Sequence, residues 1–131
     1  MSDYYNCYNF IGGGCGNQTI NAQFTTLGGG RCNKICRSYG VIVGGHLNTI
    51  SGGTCAFIGG GCGNTLSGYY VNAIVGGKGN TISNYGSCQT IVGGAFNCIT
   101  GGNRSIIGSG GNNCINNGHG AAGMIVTGKH N

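Results

Sequence analysis

Proline, tryptophan and glutamate are all missing from this chain, and Asp3 is its single acidic residue. Chemistry that needs two carboxylates in one site, such as general acid–base cleavage of a glycosidic bond, is therefore excluded within one chain. Charge of either sign is scarce, at 5% of 131 residues. That scarcity argues against disorder, because so few charges cannot keep a chain with 39% apolar residues dispersed in water. Long hydrophobic runs are missing as well. No stretch approaches the length of a membrane span, and the opening MSDYYNCYNF lacks the apolar core of a secretion signal. Neither membrane insertion nor secretion by a leader is expected. The chain is expected in the cytosol, or carried out of it in a particle assembled there.

What is abundant is glycine, with 32 residues. A collagen-like helix would need glycine at every third position together with proline, and neither condition holds. The glycines follow a longer period. An aliphatic residue six places before an asparagine recurs at Ile11 to Asn17 (IGGGCGN), Leu27 to Asn33 (LGGGRCN), Ile42 to Asn48 (IVGGHLN) and Ile58 to Asn64 (IGGGCGN). It continues at Ile74 to Asn80 (IVGGKGN), Ile91 to Asn97 (IVGGAFN), Ile107 to Asn113 (IGSGGNN) and Ile125 to Asn131 (IVTGKHN). Anchor-to-anchor spacings of 16, 15, 16, 16, 17, 16 and 18 give a period near 16 residues, filling the chain as one domain, 1–131. A phosphate-cradling glycine loop is needed once, so an eightfold loop reads as a building unit. The segment GMIVTGKH (Gly123 to His130) nearly matches a phosphate loop, but His130 stands where serine or threonine is required, and it reads as the eighth repeat.

Within the motif the fourth position is always glycine: Gly14, Gly30, Gly45, Gly61, Gly77, Gly94, Gly110 and Gly128. A recurring glycine implies a recurring geometry, a positive φ or a corner too tight for a β-carbon. The seventh position is always asparagine: Asn17, Asn33, Asn48, Asn64, Asn80, Asn97, Asn113 and Asn131. Stacked asparagines can bond nearby backbone or one another in a ladder. A second aliphatic follows most of them: Ile35, Ile50, Leu66, Ile82, Ile99 and Ile115, with Ile20 displaced by one. Runs such as VIVGG (Val41 to Gly45) are β-branched, short and ended by glycine, hence strands. One unit cannot bury its own aliphatics, but stacking coil on coil does. The expected fold is all-β, a parallel β-solenoid of about eight coils and roughly 40 Å long at the spacing of β-strands.

Alternation along a strand places the residues before the anchors on the outside: Phe10, Thr26, Val41, Phe57, Ala73, Thr90, Ile106 and Met124. Most are apolar. Such a stripe, led by Phe10, Val41, Phe57, Ile106 and Met124, fits a partner surface, most simply in a symmetric oligomer, unless loops cover it within the chain. The basic residues Arg31, His46, Lys78 and Lys129 align in one column, the fifth motif position, together with Cys15 and Cys62. That column reads as a solvated edge or as a contact for an acidic partner; no nucleic-acid module accompanies it. Tyr4, Tyr5, Tyr8 and Phe10 read as a cap on the first coil.

The nine cysteines are Cys7, Cys15, Cys32, Cys36, Cys55, Cys62, Cys88, Cys98 and Cys114, with no Cys-x-x-Cys pair. They read either as small apolar fillers or as disulfide staples, and Cys98 with Cys114 is the pair that the repeat stacks directly. Cys32, Cys36 and His46 have no standard zinc spacing, so no metal site and no cofactor is expected. No context surrounds a cysteine nucleophile with His46, His119 or His130, and no enzymatic activity is expected.

Units of the form I-V-G-G-x-x-N-T-I-S, clearest in Ile42 to Ser51 and Ile74 to Ser83, resemble the head repeats of trimeric autotransporter adhesins, of phage fibre proteins and of repeat proteins of large DNA viruses. The resemblance covers nearly the whole chain and implies a β-roll that associates as a homotrimer. Unlike the bacterial heads, this sequence shows no stalk or anchor and is rich in cysteine. Three functions are in view. One is a structural virion component, a minor capsid, spike or fibre protein with capsid or fibre partners. Another is a head that binds a host receptor or glycan through inserts such as Asn116 to Gly123. The third is an ice-binding solenoid suggested by Thr49, Thr65 and Thr81, a column that Lys34, Cys98 and Cys114 interrupt.

Overall fold

The computed structural model of the chain describes residues 7–83, 85–118 and 120–131. Among the described residues fifteen strands, each two residues long, alternate between two parallel sheets. The first sheet is built from β1 (Phe10–Ile11), β3 (Thr26–Leu27), β5 (Val41–Ile42), β7 (Phe57–Ile58), β9 (Ala73–Ile74), β11 (Thr90–Ile91), β13 (Ile106–Ile107) and β15 (Met124–Ile125), in that order. The second holds β2 (Gln18–Thr19), β4 (Lys34–Ile35), β6 (Thr49–Ile50), β8 (Thr65–Leu66), β10 (Thr81–Ile82), β12 (Cys98–Ile99) and β14 (Cys114–Ile115). With eight strands in one sheet and seven in the other among the described residues, the chain winds a β-solenoid of about seven turns rather than eight. A third ladder of single bridges joins Cys15, Arg31, His46, Cys62, Lys78, Ala95, Gly111 and Lys129 in succession. The fifth motif position is thus a continuous column along the coil.

The core is two columns of aliphatics facing each other across the coil. Leu27, Ile42, Ile58, Ile74, Ile91 and Ile107 from the first sheet are fully buried, as are Ile35, Ile50, Leu66, Ile82 and Ile99 from the second. At the first coil the column frays. Ile11 is 44% exposed, and Thr19, not Ile20, pairs with Ile35 in the second sheet. The displaced Ile20 therefore lies outside the core column, and the first turn contributes less apolar burial than those stacked on it.

Between a first-sheet strand and the second-sheet strand that follows, the connection always has six residues, from 12–17 to 108–113. Between a second-sheet strand and the next first-sheet strand it varies from five residues (36–40) to eight (116–123). All slack in the sequence period therefore falls on one flank. The constant connection is locked by hydrogen bonds. In the coil of Asn64 the Nδ2 group donates to the carbonyls of Gly60 (2.9 Å) and Gly77 (3.0 Å), and Oδ1 accepts the backbone N–H of Asn80 (2.9 Å). The same pattern runs through the asparagine column, whose members from Asn33 to Asn113 are fully buried. One side chain thus satisfies its own corner and ties it to the coil that follows, filling the hydrogen-bonding capacity that a buried amide must fill to avoid a desolvation penalty. Asparagine-to-asparagine side-chain contacts are a minor part of this ladder, at 3.3 Å for Asn33 on Asn17 and 3.2 Å for Asn64 on Asn48.

The fourth-position glycines from Gly14 to Gly110 take φ between +87° and +104°. A β-carbon on Gly61 would overlap the carbonyl oxygen of Gly77 in the next coil. Two positions after the glycine the chain turns left-handed again, now often without glycine: Cys32, Leu47, Phe96, Asn112 and His130 have φ between +54° and +62°. This second turn reverses the amide. Arg31 N–H donates forward to Gly45 (2.9 Å), while Cys32 N–H donates back to Cys15 (2.8 Å). Asn, His and Gly suit such a conformation, but Leu47 and Phe96 adopt it because the ladder on both sides dictates it.

Candidate assembly interface

Sheet pleating decides what the first sheet shows to solvent. Its anchors point inward, so the residues on either side of each anchor point outward. The preceding residues form one register column, Phe10, Thr26, Val41, Phe57, Ala73, Thr90, Ile106 and Met124, paired coil to coil. Of these Phe10 is 59% and Met124 72% exposed; Phe57 and Ile106 are exposed, and Val41 is half-buried. The following residues add a parallel column in which Val43, Val75, Val92 and Val126 are all exposed. In five of the eight coils the two columns are complementary in size, the exceptions being Thr26 beside Gly28, Val41 beside Val43 and Met124 beside Val126. Phe10, Phe57 and Ile106 stand beside Gly12, Gly59 and Gly108, whereas the smaller Ala73 and Thr90 stand beside Val75 and Val92. A β-carbon on Gly12 would lie 3.2 Å from the Phe10 ring and one on Gly59 3.4 Å from the Phe57 ring, so these two rings lie over their glycines. The result is an even apolar strip about 34 Å long, taking seven steps at the spacing of adjacent strands.

The valine column escaped the reading of the sequence, although its signal was present. The second letter of IVGG in Ile42–Val43, Ile74–Val75 and Ile91–Val92 is apolar, and the alternation that puts Val41 outside puts Val43 there too. Patches of this extent on a monomer mark interaction surfaces.

Other candidate residues are dispersed around the coil. The column of Arg31, His46, Lys78 and Lys129 lies on the constant edge, where Cys62 Sγ is 3.9 Å from His46 Nδ1 and Lys78 Nζ is 5.9 Å from the centre of the Phe96 ring. Cys32 sits at a left-handed corner, Cys36 just past β4 and His46 in the bridged column, so the three do not converge. Among the described residues no three metal-ligating side chains cluster. Tyr8 does not cap the first coil. Its ring stacks on Phe24 at 4.9 Å, and Phe24 on Tyr39 at 5.3 Å, along the flank, while Phe10 lies in the apolar strip. Tyr4 and Tyr5 lie outside the described residues.

Cys98 and Cys114 are register partners in the second sheet, and both are free thiols here. Burial pushes the Cys98 thiol up from 9.0 to about 11, helped by the charge and hydrogen bond of Cys114. The two thiols are placed side by side, and Cys98 holds its proton at neutral pH. A second polar ladder, on the variable flank, had no uniform residue type to announce it. Asn72 Oδ1 accepts the N–H of Gln89 (2.9 Å), Asn9 Oδ1 accepts the N–H of Thr25 (3.2 Å), and Ser105 Oγ accepts the N–H of Gly123 (3.2 Å).

No protein-family model, curated protein or solved structure matches this chain. Its role has to be argued from the coil itself. Among the described residues no helix is long and apolar enough to cross a membrane.

Proposed function

We propose that this protein is a non-enzymatic structural component of a virus particle, a small rod of stacked coils that assembles through its apolar strip with further copies of itself. The strip carries the reading. Two columns of exposed Phe, Val, Ile and Met running the length of the coil are unfavourable in water and become stabilising once they face a like surface. Side-by-side association about one axis, as in the homotrimer that the resemblance to adhesin and fibre repeats implies, buries the strips of all copies together. The virion, with assembly in the host cytoplasm and capsid or fibre proteins as neighbours, is the setting that fits a rigid, charge-poor module of this kind.

Sedimentation equilibrium, with and without reductant, tests the assembly. A mass near three chains that survives reduction is the expected result, and the double substitution Val43→Asp and Phe57→Asp is expected to give soluble monomers with the same circular dichroism. A monomeric wild type removes the assembly reading. Antiserum raised against the chain is expected to label purified particles at many sites; its absence from them removes the virion reading while leaving the assembly intact. A receptor-binding head is the second reading, and it draws on the variable flank.

A further inference from the structure

The flank between the second sheet and the next strand of the first differs from the apolar strip in every respect. It is where the coil length varies, and it is concave. One groove of about 380 Å³ is floored by Gly52, Gly53 and Gly68 and walled by Arg37, Thr54, Ser67, Tyr69 and Tyr70. A second, of about 190 Å³, is floored by Gly86, Gly101 and Gly102 and bordered by Tyr85, Asn103, Asn116 and Asn117. Tyr69 belongs to the first and Tyr85 to the second, and their rings meet at 5.3 Å with a tilt of 43°. The two hollows therefore adjoin across a tyrosine pair, along a track of five coil steps from Arg37 to Asn117, about 24 Å at the spacing of strands.

The chemistry of the track is narrow. Glycines keep the floor low and bring backbone close to any occupant. The tyrosines offer ring faces that are 48% (Tyr69), 55% (Tyr70) and 64% (Tyr85) exposed, each with a phenol at its edge. Between them stand neutral hydroxyls and amides, from Thr54, Ser67, Asn103 and Asn116. Beneath the second floor lies Gln89, fully buried, with Nε2 donating to the carbonyls of Gly101 (3.1 Å) and Gly102 (2.6 Å). Its Oε1 is the one buried side-chain polar atom without a partner among the described residues, an acceptor held next to that floor. Among the described residues Arg37 is the single charged side chain in the two linings. A nucleic-acid strand would need a cation for most of its phosphates, and an apolar peptide would need aliphatic pockets; the linings supply neither.

We propose that this flank is a saccharide-binding groove, taking an extended chain of neutral sugars whose C–H faces stack on Tyr69 and Tyr85 and whose hydroxyls bond the flanking amides and hydroxyls. A pyranose unit is about as long as one coil step, so successive sugars meet successive coils. Arg37 at one end bonds ring or hydroxyl oxygens with its fork of donors.

Titration of the purified protein with chitohexaose, maltohexaose and lacto-N-neohexaose tests the groove. Because tryptophan is absent, tyrosine emission and the tyrosine ring signals in NMR report directly. At least one of the three is expected to bind saturably at millimolar or lower concentration. Tyr69→Ala and Tyr85→Ala are expected each to weaken it about five- to tenfold, as loss of one aromatic face should. Tyr69→Phe keeps the face and is expected to retain binding, as is Phe57→Ala on the apolar strip. Melting curves identify any variant that has lost its fold, and Thr54→Val then serves in its place with the same expectation of weakened binding. Failure of all three sugars to saturate, or binding indifferent to the tyrosines, overturns the proposal. Tighter, salt-sensitive binding of oligothymidylate overturns it in favour of a single-strand nucleic-acid surface. None of these outcomes bears on the mass of the assembly, which tests the other face.

Discussion

At the scale of the residue, the corner of each coil depends on two side-chain facts. Glycine at the fourth motif position has no β-carbon to strike the carbonyl of the next coil, and asparagine at the seventh bonds its own corner to the coil that follows. Gly61→Val is therefore expected to abolish soluble, cooperatively melting protein, while Lys78→Ala on the neighbouring edge melts within a degree or two of the wild type. Asn64→Leu keeps the volume but leaves the carbonyl of Gly60 and the N–H of Asn80 unpaired, and leaves the carbonyl of Gly77 with the Cys62 N–H alone. At about 1–3 kcal/mol for each buried group left unsatisfied, a loss of several kcal/mol is expected, with fast hydrogen exchange at the Asn80 amide as the local signature. The Cys98 thiol sets an alkaline limit. Folded, it holds its proton to about 11, whereas the unfolded chain releases it near 9.0, so stability is complete below pH 9 and is lost as pH rises towards 11. Cys98→Ser is expected to flatten that decline in melting temperature. Both corner residues were legible from recurrence alone. The left-handed Leu47 and Phe96 were not, because glycine is the usual signal for positive φ; their alignment with Gly16, Gly63 and Gly79 in the same column was the available clue.

At the scale of the element, a strand here is two residues long, too short to persist unless it is stacked on both sides. Each strand except β2 supplies one inward aliphatic, and its contribution depends on having a coil above and below. Ile58→Ala in β7 is expected to cost about 2–5 kcal/mol, as for a fully buried aliphatic that cannot be replaced by collapse. Ile11→Ala in β1, where the side chain is nearly half exposed, is expected to cost well under half of that; comparable losses in chemical denaturation would mean that the first coil is covered by something more. The anchors and most of the second aliphatics could be placed from the sequence because period and β-branching coincide there. Ile20 misled, since burial in a solenoid follows register, and register in the first turn assigns Thr19 to the column. The variable flank was equally hard to foresee. A spacing that drifts between 15 and 18 does not say which connection absorbs the drift until the constant corner has been seen.

At the scale of the whole molecule, the two sheets and the flank between them divide the labour. The first sheet turns outward an apolar strip, and the variable flank opens hollows lined with tyrosine and amide. The overall winding could be read from the eightfold motif. The valine half of the strip was implied by strand alternation, whereas the concavity of the flank emerges only when side chains far apart in sequence are set one coil above another. The folding route shares that geometry. Every contact between coils joins residues roughly one period apart, so closure costs are moderate and uniform, and the coil can grow outward from any pair of turns that forms first.

The constant six-residue corner has a genetic consequence. Since each turn presents the same acceptors upward and the same donors downward, removing the sixteen residues from Ile58 to Ala73 would join Phe57 to Ile74 with every rung still in step. Unequal recombination between neighbouring copies can therefore lengthen or shorten the rod by whole turns without a misfolded intermediate. Its length is inherited as a copy number, open to selection independently of the chemistry on its faces.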